Sequence, residues 1–204
     1  MKSGITTPKE ERDIWDSKVN ENVAYEVWNE SNPVKWESMA DYCAAKIVKN
    51  IKGAKNVLEI GSGIGRLTVR IATRLGVKVI GLDISQKMID RAAKHKAVKY
   101  ILGDGRKVPL EDNSIYAVYS MITFQHIPNK AFQGYIKEIG RVLKLNGVAY
   151  FQYVEGDNIG HLSHDANIED VSSWCAKAGL EIVDVQHGLG LVFDNWTWIK
   201  AVKA

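Results

Sequence analysis

Apolar and amphipathic segments alternate along most of this chain, which is 204 residues long. Short apolar runs bounded by turn residues predict β-strands, and apolar positions three or four residues apart predict amphipathic helices. The predicted strands cover residues 57–60, 77–83, 98–102, 115–123, 148–153, 180–185 and 196–202, and the predicted helices cover residues 13–25, 38–51, 67–75, 130–143 and 168–178. The last two strands lack an intervening helix and must therefore pair antiparallel. The pattern predicts an α/β fold with a doubly wound, seven-stranded, mostly parallel sheet, helices on both faces and an antiparallel last strand.

Three glycines at alternate positions, Gly61, Gly63 and Gly65, separate the first of these strands from the helix that follows it. Such a junction directs backbone N–H groups and the positive end of a helix dipole toward a ligand. A dinucleotide-binding turn has the wider spacing G-x-G-x-x-G, and here the third glycine comes one position early. The spacing therefore disfavours an NAD-binding oxidoreductase, which stays open as an alternative.

Acidic residues stand at the ends of three predicted strands. Glu59 lies just before the glycine turn, Asp83 follows 22 residues after Gly61, and Asp104 follows the third strand. Because the carboxyl ends of parallel strands meet at one edge of a sheet, the three acids are expected on one rim. A carboxylate in the position of Asp83 can accept two hydrogen bonds from the vicinal hydroxyls of a ribose.

The run from Val57 to Thr68, with its acid and three glycines, resembles motif I of class I S-adenosylmethionine-dependent methyltransferases of the small-molecule type. The resemblance extends over about residues 53–204 and implies S-adenosyl-L-methionine as the cofactor, with Asp104 on the adenine amino group. The cofactor-binding residues that it implies are Glu59, Gly61, Ser62, Gly63, Gly65, Asp83, Ile84, Met88, Asp104, Gly105 and Met121. The family's amino-adenine signature, Asn or Asp followed by Pro-Pro-Tyr, is absent after the fourth strand. Methylation of adenine N6 in nucleic acid is therefore not expected.

His126 is the candidate catalytic residue. It lies in a segment after the fourth strand that resembles the turn facing the transferring methyl group in small-molecule methyltransferases. Imidazole titrates near neutrality, so His126 is suited to act as a base; the equal alternative is a structural histidine that holds the turn before Pro128. A base is needed only if the acceptor must lose a proton. A sulfonium methyl group is itself a strong electrophile, so alignment and exclusion of water are the main tasks.

The resemblance also divides the chain into two parts. Residues 1–52 are expected to form a helical lid that packs over the cofactor and shapes the acceptor pocket, and residues 53–204 are expected to form the cofactor-binding domain. Residues 153–167 are predicted to form a long polar loop, and a loop of this length is usually functional or mobile. Its His161 and His164 match no firm spacing of metal ligands, so no metal is expected.

Composition and charge limit the remaining possibilities. The formal net charge is +3, and residues 150–204 hold 3 Lys and Arg against 8 Asp and Glu, so the basic residues concentrate earlier in the chain. Without an aromatic-interleaved basic stripe, solvated helix faces are favoured over a nucleic-acid surface. The absence of a long apolar run, of a signal peptide and of metal-like cysteine spacing indicates a cytoplasmic protein with reduced thiols and no membrane contact.

Other functions stay open. They are a non-catalytic S-adenosylmethionine-binding regulator or scaffold and an RNA methyltransferase. The intact glycine loop and Asp83 argue against a lost cofactor site. A small-molecule methyl acceptor is expected as the partner, and neither its identity nor the oligomeric state follows from the sequence.

Overall fold

The computed structural model describes residues 7–19, 32–155, 166–188 and 196–204. Seven strands form one sheet in the order β3-β2-β1-β4-β5-β7-β6. They are β1 (Asn56–Ile60), β2 (Lys78–Asp83), β3 (Val98–Leu102), β4 (Ile115–Ser120), β5 (Leu143–Val154), β6 (Leu180–His187) and β7 (Trp196–Lys203). Strand β7 pairs antiparallel with both β5 and β6, and the other pairs are parallel. The predicted fold class is confirmed.

Helices cover both faces of this sheet. They are α1 (Pro8–Ser17), α2 (Pro33–Asn50), α3 (Arg66–Leu75), α4 (Gln86–Asp90), α5 (Asn129–Val142) and α6 (Ile168–Lys177), with a 3₁₀ turn at Phe124–His126. Side chains of α2 and α3 share one apolar cluster with the sheet, and side chains of α5 and α6 share the other. None of the described helices is long and apolar enough to cross a bilayer.

The two N-terminal helices begin earlier than the apolar periodicity predicted, and the predicted starts at residues 13 and 38 are wrong. Helix α1 begins at Pro8 because Thr7 caps it: the Thr7 hydroxyl accepts the Glu10 backbone N–H at 3.2 Å, and the Glu10 carboxylate accepts the Thr7 N–H at 2.6 Å. Helix α2 begins at Pro33 after an Asn32 cap. Both starts carry ordinary capping signals, a proline at the first helical position after a polar cap.

Helix α1 ends at Ser17, whereas the sequence predicted a helix over residues 13–25. Residues 20–25 of that prediction lie outside the described residues. His161 and His164 also lie outside them. The helix of residues 1–52 that is described at length, α2, buries Ala40, Cys43 and Ala44 in the same cluster as the sheet. This part of the N-terminal segment therefore contributes to the core.

Two strand boundaries near the middle of the sheet also differ from the prediction. Strand β5 begins at Leu143 rather than at residue 148, because the ladder to β4 resumes after a bulge: Ile115 pairs with Leu143 and Ala117 with Val148. Strand β4 ends at Ser120 rather than at residue 123. The chain breaks from the strand there because Ile122 takes a positive φ of 55°.

Candidate active site

A cleft opens at the carboxyl-terminal edge of β1, β2 and β4, with about 1050 Å³ of empty space including its open mouth. Nine of the predicted site residues line it: Glu59, Gly61, Ser62, Gly63, Asp83, Ile84, Met88, Gly105 and Met121. The lining does not include the predicted residues Gly65, Asp104 and His126. The structure therefore brings most of the predicted rim together at one concave surface, which is where open α/β sheets bind ligands.

Asp83 and the glycine loop form one hydrogen-bonded unit. Asp83 Oδ2 accepts the Gly63 backbone N–H at 2.7 Å, and Oδ1 accepts the Ser85 N–H at 2.9 Å. Burial raises the pKa of Asp83 above its usual value, while these two donors act in the opposite direction. Each carboxylate oxygen has a second lone pair, so Asp83 can still accept hydroxyl groups from a ligand in the cleft.

The three glycines of the loop have different roles. Gly61 has a φ of 78°, and a Cβ there would lie 2.0 Å from the Thr123 hydroxyl oxygen. Gly65 caps α3 with a φ of 77°, and a Cβ there would lie 1.9 Å from the Tyr100 hydroxyl oxygen. Packing within the protein thus requires both of these glycines. Gly63 has a φ of 52° and no atom within 4 Å of such a Cβ, so it leaves space in the cleft lining.

Glu59 is a buried carboxyl at the floor of the cleft, only 3% exposed. Its Oε2 accepts hydrogen bonds from the Thr68 hydroxyl at 2.5 Å and from the Tyr119 hydroxyl at 2.8 Å. Burial raises the pKa of Glu59 to about 8, against the lowering effect of these two donors. The carboxyl is therefore mainly neutral at pH 7, and a cationic ligand group placed beside it would favour its ionisation.

Arg66 is a lining residue whose role the sequence reasoning missed. The guanidinium lies 4.4 Å from the centre of the Trp36 ring, and its Nη1 donates to the Trp36 carbonyl oxygen at 3.2 Å. Burial lowers the pKa of Arg66 to about 9, which leaves it charged at neutral pH. A charged group with little exposure to water favours an anionic partner. The part of the cleft beside Arg66 therefore suits a carboxylate group of a ligand.

The N-terminal helices contribute three further lining residues that the periodicity analysis did not single out as a site: Glu11 and Trp15 from α1 and Trp36 from α2. Contacts between segments so far apart in sequence leave no local spacing signal. The concentration of Trp residues before the first strand was the available hint.

Two predicted residues lie beside the cleft rather than in its lining. Asp104 is exposed, and its Oδ1 accepts the backbone N–H groups of Arg106 and Lys107 at 2.8 and 2.7 Å. His126 is half-buried, and its ring packs edge-on against Trp15 with 5.3 Å between the ring centres. Trp15 itself lines the cleft. Within the described ranges, no group of three or more His, Cys, Asp or Glu side chains is placed to hold a metal ion.

Residues 57–147 match a family model described as a methyltransferase domain. The match begins in β1, ends in β5 and includes the glycine loop and Asp83, the two parts of the hydrogen-bonded unit. Over these residues, which are less than half of its length, the chain is similar to methyltransferase domains. The match agrees with the family resemblance that rests on the glycine spacing and on Glu59.

Curated relatives are about one-third identical to the chain over the residues that align with it. The biotin biosynthesis bifunctional protein BioHC of Cellvibrio japonicus is 33% identical over 117 residues, which are 55% of this chain and 21% of the relative. The sterol 24-C-methyltransferase ERG6B of Gibberella zeae is 34% identical over 105 residues, 48% of this chain and 27% of the relative. The chain thus spans about a quarter of the length of these two relatives.

Solved structures resemble the chain over almost its whole length. Magnesium protoporphyrin IX methyltransferase from Synechocystis, with bound S-adenosylmethionine, gives a TM-score of 0.74 at 16% identity and covers 100% of both chains. The [4+2]-cyclase SpnF gives 0.77 at 17% identity and covers 97% of both chains. At these identities the likeness establishes the fold alone, and the second protein is named for a reaction other than methyl transfer.

Proposed function

We propose that this chain binds S-adenosylmethionine in the cleft and transfers the methyl group to a small-molecule acceptor. The observation that carries the proposal is the hydrogen bond between Asp83 and Gly63, which holds a ribose-accepting carboxylate against a glycine turn that leaves open space. The alternating-glycine spacing and the family match over residues 57–147 support it independently.

The residues along the cleft fit the three parts of this cofactor. The ribose hydroxyls would bind Asp83, and the adenine would lie toward Ile84, Gly105 and Tyr135. The methionine part would extend from the ribose away from the adenine, toward Glu59 and Arg66. Its ammonium group would then favour the ionised form of Glu59, and its carboxylate would pair with Arg66.

When bound, the cofactor would supply a methyl group on positively charged sulfur: a lone pair of the acceptor would form a bond to the methyl carbon while the carbon–sulfur bond breaks, and the leaving group would be a neutral thioether. The protein's task is to align the acceptor and keep water away. Apolar side chains also line the cleft, among them Leu67, Met121 and Ile122. They favour an acceptor with an apolar surface next to its reacting atom.

The N-terminal segment and His126 belong to this proposal. We propose that residues 1–52 act as the lid and residues 53–204 as the cofactor domain, since Glu11, Trp15 and Trp36 supply lining residues. His126 would act on the acceptor as a base, with its position after β4 and its contact with Trp15 in support. Cys43 and Cys175 are buried free thiols, which fits a reducing cytoplasm.

The test is incubation of the wild-type protein with S-adenosylmethionine labelled in the methyl group and a panel of small apolar acceptors. Transfer of label to an acceptor, lost in Asp83→Ala, is the expected result. A protein that binds S-adenosylhomocysteine but transfers no label to any acceptor would favour the second candidate, a cofactor-binding scaffold or regulator.

A further inference from the structure

Helix α1 forms hydrogen bonds with two turns at the rim of the cleft. Both carboxylate oxygens of Glu11 accept from the Arg106 guanidinium, each at 3.2 Å. Arg12 Nε donates to the Ile84 carbonyl oxygen at 3.2 Å, and Asp16 accepts from the Ser85 hydroxyl. Polar contacts from one short helix thus reach the turn after β2 and the turn after β3.

These contacts place the Glu11 carboxylate inside the cleft. Glu11 is only 4% exposed and is part of the lining. A Cβ on Gly105 would lie 3.6 Å from Glu11 Oε2 and 2.7 Å from the Ile84 side chain, so these three residues meet closely. Together they bound the part of the cleft beyond Asp83, on the side of β3, since β3 pairs with β2.

Asp104 does not occupy this place in the structure. Its exposed carboxylate caps the turn that follows β3 through the Arg106 and Lys107 backbone N–H groups. Asp104 instead lines a separate cavity with Glu138 and Arg141. Glu11 lines the cleft, and Asp104 does not.

We propose that Glu11 is the residue that recognises the adenine amino group, in place of Asp104; this inference rests on the proposed cofactor function. An adenine placed beyond a ribose on Asp83 lies against Ile84 and Gly105, within reach of the Glu11 oxygens. The 6-amino group has two N–H donors, and a carboxylate has about four lone-pair sites, so Glu11 can accept from adenine while Arg106 orients it. Docking of α1 then completes the nucleoside pocket.

The test compares binding of S-adenosylhomocysteine with binding of S-inosylhomocysteine, which has an oxo group in place of the amino group. The oxo group is an acceptor and repels a carboxylate. A lost charge-assisted hydrogen bond corresponds to a preference of about ten- to a hundred-fold for the adenosyl compound in the wild type. Glu11→Gln should lose most of that preference, because an amide can turn its NH₂ group toward the oxo oxygen.

The readout is the ratio of the dissociation constants of the two compounds. Two control variants test whether a change in this ratio comes from a general loss of negative charge or from Asp104 rather than from Glu11. Asp13→Asn removes the same charge from the same helix at an exposed residue outside the cleft lining, and it should keep the wild-type ratio. Asp104→Asn should also keep it. Loss of the preference in Asp104→Asn with its retention in Glu11→Gln would overturn the proposal, as would a wild type without any preference. A wild type that bound neither compound would instead overturn the cofactor site itself.

Discussion

The Asp83 carboxylate accepts the Gly63 backbone N–H at 2.7 Å and so joins two turns that lie 20 residues apart. The bond is possible because β1 and β2 are parallel neighbours, with Ile60 opposite Leu82 at their carboxyl ends. The glycine turn and the ribose-accepting acid are therefore one structural unit. A change at either residue is expected to affect the other.

Gly63→Ala should weaken cofactor binding more than it weakens the fold. An alanine at positive φ costs about 1–2 kcal/mol of unfolding free energy, and the new methyl group would occupy space in the cleft lining. Gly53 is the matched control, since it also has a positive φ, of 90°, with nothing within 4 Å of an added Cβ, and it lies outside the lining. Denaturant unfolding and titration with S-adenosylhomocysteine on both variants measure the two effects. Equal affinity in Gly63→Ala and Gly53→Ala would remove Gly63 from the site.

Glu59 should make the protein less stable as pH rises. Its folded pKa of about 8 is above the ordinary 4.5, so between these values the unfolded chain loses a proton that the folded chain keeps. The free energy of unfolding then falls with rising pH by up to about 1.4 kcal/mol per pH unit in that window. Glu59→Gln removes this contribution, so the free energy of unfolding of the variant minus that of the wild type should rise from pH 5 to pH 8. Parallel stability curves for the two proteins would show that Glu59 ionises normally.

Arg66→Met should weaken binding of S-adenosylhomocysteine by about ten- to a hundred-fold through loss of the pairing with its carboxylate. Binding of 5′-methylthioadenosine, which lacks the amino-acid part, should hardly change. Arg70→Met is the control, because Arg70 lies one turn along α3, pairs with Glu37 and Asp41, and is outside the cleft lining. If Arg66→Met weakened both ligands equally, Arg66 would be a packing residue held by Trp36.

His126→Ala should lower turnover by about 10²-fold or more once an acceptor is known, if His126 acts as a general base. Affinity for S-adenosylhomocysteine should barely move, because His126 is outside the cleft lining. His126→Asn keeps a hydrogen-bonding group without a base, so recovery of activity in that variant would indicate a positioning role. Wild-type turnover in both variants would leave His126 as a structural partner of Trp15.

The strand-and-turn half of the site was predictable because its signals are local. Glu59, the glycines and Asp83 lie within single strand–turn units, and the edge where parallel strands end is set by topology. The positions of Asp104 and His126 were harder to predict. Each follows its strand at the expected distance, but the orientation of a turn side chain depends on local hydrogen bonds, such as those from Arg106 and Lys107 to Asp104.

The contribution of the N-terminal helices to the cleft lining could not be predicted from local sequence signals. Glu11 meets Arg106 across 95 positions of sequence, and no periodicity encodes such a contact. The positive φ of Ile122, whose N–H donates to the Gln152 side chain at 2.9 Å, is a long-range constraint of the same kind. By contrast, the cap of Thr7 and Glu10 was readable, and helix α1 could have been placed from it.

The most direct measurement is a calorimetric titration of the purified chain with S-adenosylhomocysteine, in parallel with Asp83→Ala and Asp90→Ala. Asp90 is an exposed acid on α4 outside the cleft lining, so its replacement controls for the loss of charge. We expect one site per chain in the wild type and in Asp90→Ala, and about ten- to a hundred-fold weaker binding in Asp83→Ala with an unchanged fold. Absence of binding in the wild type, or equal affinity in Asp83→Ala, would contradict the assignment of the cleft.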